Sequence, residues 1–255
     1  MMRYFYLLIF VLVSCVGNVF AQENYARLGA RAARCMQFQE WNSANAMYML
    51  MIDQRPNVPK TYSRAIVTSG LLSDDKTQVG LLEMTQKQGI SLDSIFAEVN
   101  KFAYEIGESQ EYEQFLKLVK QRQPWIGRNI NMRLLRFYNF RNDAPNMVAV
   151  GKELLAATPH DVNYLLTVGR GYMLQGDYEN AVKEYNKVLA VEPHNYDALL
   201  ALGNYYYVEW KNAEGTRSQF ASVRDLALKY LEHANTLRPT PFVSTVIGVL
   251  EGNKP

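Results

Sequence analysis

Few side chains in this sequence combine the type and the spacing that chemistry requires. Its histidines are His160, His194 and His233. None of them has a second histidine or a cysteine at the short spacings that zinc motifs use. The acidic cluster of Glu108, Glu111 and Glu113 is explained by the favourable placement of negative charge at the start of a helix. No phosphate-binding loop, dinucleotide fingerprint or nucleophile elbow occurs. We therefore expect no enzymatic activity, no metal site and no cofactor.

The side chains best suited to binding recur at a fixed interval along the chain. Arg136, Arg170 and Asn204 form one series with a constant spacing. Arginine binds carboxylates through two parallel hydrogen bonds, and an asparagine amide can both donate to and accept from a peptide backbone. A second series with the same interval consists of Asn139, Met173 and Tyr207, and Phe140 lies in a neighbouring register.

Together these residues predict a binding surface for an acidic peptide or a C-terminal carboxylate. We expect removal of Arg136 and Arg170 to weaken binding and to leave the stability nearly unchanged. The other reading is that all of them are ordinary solvated helix positions.

The elements that position these candidates are predicted to be helices. Residues 162–195 have the pattern of two amphipathic helices joined by a turn at Gly176-Asp177. Asp161 and Asn195 are natural caps at the starts of this helix pair and of the next one. Arg170 and Met173 therefore fall on the first helix of the pair.

The interval that separates these candidates extends through most of the chain. It relates the tyrosines Tyr104, Tyr138, Tyr172 and Tyr206. A matching series of prolines consists of Pro56, Pro124, Pro159, Pro193 and Pro239, the last displaced by an insertion of 12 residues. A fixed period of roughly 34 residues indicates a stack of helix pairs, each of which buries its apolar face against its neighbours. We expect the four tyrosines to pack within that shared core.

A unit of two helices with this period resembles the tetratricopeptide repeat (TPR). The resemblance is carried by Leu165, Val168, Gly169, Tyr172, Gly176, Ala181, Tyr185 and Pro193. It implies an all-α fold, a helix-turn-helix solenoid of about six TPR-like helix pairs with a short C-terminal capping helix. It also implies that the first helices of successive pairs line a concave groove for an extended peptide or a partner helix.

The predicted organisation combines these repeats with an N-terminal export signal. It comprises a signal peptide (1–21), degenerate N-terminal helical repeats (22–92), degenerate TPR-like repeats (93–160), a clear repeat (161–195), a repeat with an inserted turn (196–239), and a capping helix with a tail (240–255).

The N-terminal segment has the features of an export signal. A positive start precedes an apolar run from Tyr4 to Val13, and small residues end at Ala21, where cleavage is expected. The run is too short to span a bilayer as a helix. A rival interpretation is a lipobox that makes Cys15 the lipidated N-terminus of an outer-membrane lipoprotein. Both interpretations predict an exported protein, and the first predicts a periplasmic one.

Composition and charge limit the kinds of partner that we expect this protein to bind. Lysine and arginine total 27 against 25 acidic residues, so the formal net charge is only +2, and no long basic run occurs. We therefore expect no nucleic-acid partner, and a membrane contact only if Cys15 is lipidated. The sequence favours a non-enzymatic scaffold of the cell envelope that binds a protein or peptide. The alternatives are a lipid-anchored component of an envelope assembly or secretion complex, and a small enzyme or carbohydrate-binding protein built on the helical array.

Overall fold

The computed structural model describes residues 24–213 and 220–252. The predicted signal peptide and Cys15 lie outside the described residues, as does the middle of the predicted insertion. Within the described ranges the chain folds into helices joined by short turns, and no strand occurs there. The predicted all-α class is confirmed.

The order of the helices matches the predicted six pairs followed by a closing helix. The first pair is α1 (24–37) and α2 (Trp41–Gln54), followed by α3 (Pro59–Leu71) and α4 (Asp75–Lys87), α5 (Leu92–Glu105) and α6 (Ser109–Arg122), α7 (Gly127–Arg141) and α8 (Ala144–Ala157), α9 (Val162–Gln175) and α10 (Tyr178–Val191), and α11 (Tyr196–Asn212) and α12 (Ala221–Leu237). The closing helix is α13 (Pro241–Glu251), and a short 3-10 turn at Pro124–Ile126 precedes α7.

Side-chain caps fix where many of these helices begin. The Asp161 carboxylate accepts hydrogen bonds from the backbone N–H groups of Asn163 and Tyr164, and the Asn195 side chain accepts one from Ala198. These bonds satisfy donors that have no partner within the helix. Both predicted caps are therefore confirmed. Gly176, with φ of 75°, ends α9 in the left-handed conformation that glycine adopts without steric cost.

The described part of the chain divides into two compact units, with the division between residues 130 and 131. In the first unit α3 is the central helix and packs against α2, α4, α5 and α6. Eight of its thirteen residues are buried, among them Tyr62 and Ile66. Buried hydroxyls in this helix bond to its own carbonyls, as Thr68 does to Arg64 and Ala65. The first unit is thus organised around one almost fully enclosed helix.

In the second unit, α9, α10 and α11 share one hydrophobic cluster that includes Val168, Tyr185 and Leu202. A second cluster joins α12 to α13 through Leu231 and Val246, and side chains of α11 pack against it. α11 and α12 contain 17 residues each, against 14 in α9 and α10. The extra residues beside the insertion therefore lengthen both helices of this pair.

The predicted burial of the tyrosine series holds for part of it. Tyr138 and Tyr172 are buried, and Tyr206 is half-buried with its ring stacked on that of Tyr230. The prediction is wrong for Tyr104, whose side chain is 67% exposed. The buried stripe of α5 already contains Phe102 and Ala103, and the next residue along a helix points about 100° away from its predecessor.

Glu111 places a carboxylate in the interior of the first unit. It belongs to the first turn of α6, but its residue is only 9% exposed, and its Oε2 atom has no hydrogen-bond partner among the described residues. A Cβ atom on Gly70 would come within 2.2 Å of this oxygen, so the carboxylate occupies the space that a side chain on α3 would fill. Burial, and then the neighbouring charge of Glu108, raise the pKa of Glu111 above its ordinary value.

We expect Glu111→Gln to stabilise the protein at neutral pH. A raised pKa in the folded state means that the folded protein binds this proton more tightly than the unfolded chain, so ionisation of Glu111 weakens the fold. The destabilisation is present above the raised pKa and disappears as the pH falls towards the ordinary value of 4.5. Urea unfolding at pH 8 and at pH 4.5 should show the advantage of the variant at the higher pH only. An equal change at both pH values, or a change matched by the exposed control Glu83→Gln, would contradict this account.

Candidate functional site

The six residues predicted to bind a partner all lie on the first helices of three consecutive pairs in the second unit. Arg136 and Asn139 are on α7, Arg170 and Met173 on α9, and Asn204 and Tyr207 on α11. α7, α8 and α9 meet at Gly151, where an added Cβ atom would lie 2.3 Å from Val168 Cγ2 and 3.6 Å from Leu135 Cδ1. The core cluster shared by α9, α10 and α11 extends the array to α11.

Arg170 and Asn139 contact each other directly. The guanidinium of Arg170 donates to the backbone carbonyl of Asn139 at 3.1 Å and to its side-chain oxygen, and it also donates to the side-chain oxygen of Asn142. Asn139 lies in the last turn of α7 and Asn142 directly follows that helix, so the guanidinium places its positive charge at a helix C-terminus, where it is favourable. Arg170 therefore ties α9 to the end of α7.

This contact corrects the expectation that Arg170 can be removed without affecting stability. Its loss would remove the hydrogen bonds that join α9 to the end of α7, each contributing about 0.5–1.5 kcal/mol, although the Asn139 carbonyl would still accept from the backbone N–H of Asn142. Arg170 shapes the surface by fixing α7 against α9, whatever it contributes to binding.

Both arginines of this series are exposed, but Arg136 differs from Arg170 in having no partner among the described residues. It makes no hydrogen bond or ion pair within the part of the chain that the structure describes. Arg128, Arg133 and Arg141 are on the same helix, which has no acidic residue. α9 adds Arg170 and likewise contains no acidic residue. Neither of these two first helices therefore balances its own positive charge.

Met173, Asn204 and Tyr207 are less exposed than the two arginines. Met173 is half-buried against the cluster shared by α9, α10 and α11, and Tyr207 is half-buried with its ring 6.3 Å from that of Trp210. Asn204 is also half-buried, and its Oδ1 atom is fully enclosed without a hydrogen-bond partner among the described residues. These three residues lie lower in the surface than Arg136.

Three large apolar side chains are exposed at one position of successive repeats. Phe140 is 77% exposed, Leu174 is 49% exposed and Val208 is 49% exposed. Each is one repeat period from the next in the sequence. Single exposed apolar residues are ordinary on protein surfaces, but a contiguous exposed patch marks an interaction site. Recurrence at the same repeat position on three neighbouring first helices is the pattern that a binding face would produce.

Each of these apolar residues follows a predicted polar residue by four positions and so lies one turn further along the same side of its helix. The combined surface is called the ladder face below. It consists of Arg136 and Phe140 on α7, Arg170 and Leu174 on α9, and Asn204 and Val208 on α11. Sequence reasoning included Phe140 but missed Leu174 and Val208, although a shift by one repeat period would have found them.

Metal sites with three or more ligands and membrane-spanning helices are both absent from the described residues. Within residues 24–213 and 220–252, no group of three or more histidine, cysteine, aspartate or glutamate side chains is arranged to hold a metal ion. Among the helices of the same ranges, none combines the length and the apolar character needed to cross a membrane.

Comparison with known proteins supports the repeat assignment. Residues 169–208, which run from the second half of α9 through α10 into α11, match the family model described as "TPR repeat". No curated protein matches the sequence significantly. The predicted repeat family is thus found on the segment that carries two of the three exposed apolar residues.

Several solved structures are similar to this chain at low identity. A putative protein binding protein from Bacteroides ovatus ATCC 8483 is 16% identical with a TM-score of 0.49, over 77% of this chain and 97% of that one. PilF of Pseudomonas aeruginosa is 12% identical with a TM-score of 0.45, over 92% and 99% of the two chains. The TPR2AB domain of yeast Sti1, in a complex with pHSP90, is 10% identical with a TM-score of 0.38, over 89% and 98%.

Proposed function

We propose that this tetratricopeptide-repeat protein is a non-enzymatic scaffold that binds a segment of a partner protein on its ladder face. The TPR fold is one that serves protein–protein interaction, but a fold does not by itself specify a function, so the proposal depends on the surface. The observation that carries it is the exposed series of Phe140, Leu174 and Val208 on three successive first helices. These side chains would lose their contact with water when a partner covers them, which favours association.

The charges of the same surface indicate what kind of segment fits. Arg136 offers a guanidinium without a partner among the described residues, on a helix with four arginines and no acidic residue. An acidic side chain or a C-terminal carboxylate would pair with it in a charge-assisted hydrogen bond. The ligand we propose is therefore a peptide or helix with carboxylates next to apolar side chains. The apolar residues contact the series on the three helices, and the carboxylates face α7.

The enclosed oxygen of Asn204 is consistent with this arrangement. A buried acceptor without a partner costs free energy, and a small shift of the side chain would let a backbone N–H of the bound segment donate to it. Met173 and Tyr207, which are half-buried beside the exposed series, would then form the floor on which the segment lies.

We further propose that the protein acts in the cell envelope after export. The support is the N-terminal sequence, where an apolar run ends in a small-residue cleavage site at Ala21. A lipid-anchored component of an envelope assembly or secretion complex is the second candidate, favoured by the lipobox pattern that precedes Cys15. Intact-mass measurement of the mature protein distinguishes the two, because the second requires acyl chains on a chain that begins at Cys15.

The binding proposal is tested by removing the exposed apolar side chains together. We expect the triple variant Phe140→Ala, Leu174→Ala, Val208→Ala to bind the native partner at least tenfold more weakly, since loss of about 1.4 kcal/mol already has that effect and three contacts are removed. The unfolding temperature should change little because these side chains are exposed. Affinity for the partner, first isolated with the wild-type protein, is measured by calorimetry.

A matched control is available on the second helices. Val191 on α10 and Leu237 on α12 are exposed to a similar degree, 45% and 43%, but lie outside the ladder face. Replacing both with alanine should leave the affinity unchanged. Equal affinity of the triple variant and the wild type would refute binding on the ladder face.

A further inference from the structure

Two histidines from different helix pairs meet on the surface of the second unit. His194 lies in the turn between α10 and α11, and His233 lies on α12. The Nδ1 atom of His194 is 2.8 Å from the Nε2 atom of His233, and the two rings are almost perpendicular at 79° with their centroids 5.0 Å apart. His194 is exposed and His233 is half-buried, so solvent and small ions reach the pair.

The separation of the two nitrogen atoms is suited to a shared metal ion. Imidazole nitrogens bind late first-row ions at about 2.0–2.1 Å, so two of them would be about 2.9 Å apart at the right angles of a square-planar Cu²⁺ or Ni²⁺ site, and about 3.4 Å apart around tetrahedral Zn²⁺. The observed 2.8 Å is a hydrogen bond between the two rings, and it is close to the square-planar value. Metal binding would break this bond: the donor ring would carry its proton on its other nitrogen, and the rings would rotate until both lone pairs point towards the ion. Imidazole is also the ligand type that suits zinc, copper and nickel, whereas calcium and magnesium prefer oxygen.

We propose that His194 and His233 bind one late first-row divalent ion such as Cu²⁺, Ni²⁺ or Zn²⁺. The two imidazoles supply the protein ligands, and water completes the coordination shell. In the ranges that the structure describes, no third histidine, cysteine or carboxylate side chain completes the group. A site with two protein ligands exchanges its metal readily, and Cu²⁺ should bind most tightly of the three ions.

The ion would connect two repeats. His194 belongs to the turn that ends the pair α9 and α10, whereas His233 belongs to the second helix of the next pair. A ligand that binds only the folded arrangement shifts the unfolding equilibrium towards that arrangement. Metal binding would therefore hold the lengthened pair α11 and α12 against the preceding turn.

The sequence contains a matched control for this site. His160 lies one repeat period before His194, directly after a proline as His194 does, and it is also exposed. It makes no hydrogen bond within the described residues, and no second histidine faces it there. If metal binding requires the histidine pair, the metal affinity should therefore be unchanged in His160→Ala.

The test uses the tag-free full-length protein and titrates Cu²⁺, Ni²⁺ and Zn²⁺ by calorimetry, with Ca²⁺ as the negative ion. We expect one ion per chain for the wild type and for His160→Ala, and at least tenfold weaker binding for His194→Ala and for His233→Ala. Unfolding temperatures without metal establish that each variant is folded. Equal metal affinity in all four proteins, or tight binding of Ca²⁺, would overturn the proposal.

A spectroscopic measurement identifies the ligands independently of affinity. Electron paramagnetic resonance of the Cu²⁺ complex should show coupling to two imidazole nitrogens in the wild type and in His160→Ala. It should show no more than one in His194→Ala or His233→Ala. The same spectrum in the wild type and in both of these variants would show that copper binds elsewhere on the chain.

Discussion

We expect Gly203→Ala to lower the free energy of unfolding by about 1–3 kcal/mol, the cost of inserting a methyl group into a packed interface. A Cβ atom at this position would lie 2.7 Å from both Cγ and Cδ2 of Leu231 and 3.2 Å from its backbone nitrogen. Leu231 is fully buried, and its Cγ cannot move aside as the tip of a long side chain would. α11 and α12 must therefore separate to admit the methyl group.

The measurement is urea unfolding of the wild type, Gly203→Ala and Gly80→Ala. Gly80 also lies within a helix, α4, but nothing lies within 4 Å of its hypothetical Cβ atom. Alanine is the better helix former by about 1 kcal/mol, so Gly80→Ala should be as stable as the wild type or more stable. If Gly203→Ala were as stable as Gly80→Ala, the close approach of α11 and α12 would be disproved.

The second large effect is expected on binding. Arg136→Glu should weaken binding of the native partner by at least tenfold, because it replaces an attraction to a carboxylate with a repulsion. Charge-assisted contacts of this kind contribute about 1.5–3 kcal/mol. Raising the ionic strength should reduce the difference in affinity between the wild type and the variant, since salt screens charges on an exposed surface.

Arg136 is the better probe because Arg170 has structural partners. Removing Arg170 would break its hydrogen bonds to the end of α7 and would also remove a positive charge. A loss of affinity would therefore have two explanations. Arg136→Lys is the matched control, since it keeps the charge and loses only the planar, two-pronged geometry of the guanidinium. We expect it to keep most of the affinity. If Arg136→Glu bound the partner with wild-type affinity at low salt, Arg136 would not belong to the binding site.

The repeat architecture could be predicted from the sequence because its signals are local or periodic. Asp161 and Asn195 cap helices through bonds that span two or three residues, so their roles are visible in the sequence itself. The repeat period locates the equivalent positions of other pairs. The same period, applied to Phe140, reaches Leu174 and Val208, and the exposed series was therefore within the reach of sequence reasoning.

What the sequence could not provide were contacts between distant residues. Arg170 bonds to residues 31 and 28 positions earlier in the chain, and a repeat position does not indicate whether a side chain is occupied in this way. The prediction that Tyr104 is buried was wrong for a related reason. Its repeat position indicated burial, but neighbouring residues of α5 already fill the core. His194 shares its repeat position with His160, yet only His194 meets another histidine among the described residues.

Site-specific photo-crosslinking tests the ladder face most directly. A photoreactive phenylalanine analogue is placed at Phe140, Leu174 or Val208 in turn, and at Val191 or Leu237 as the second-helix controls, and each protein is irradiated with the native partner. The account predicts the same partner segment, containing carboxylates beside apolar residues, in covalent products from all three ladder positions and from neither control. Products from the second-helix positions with none from the ladder face would contradict it.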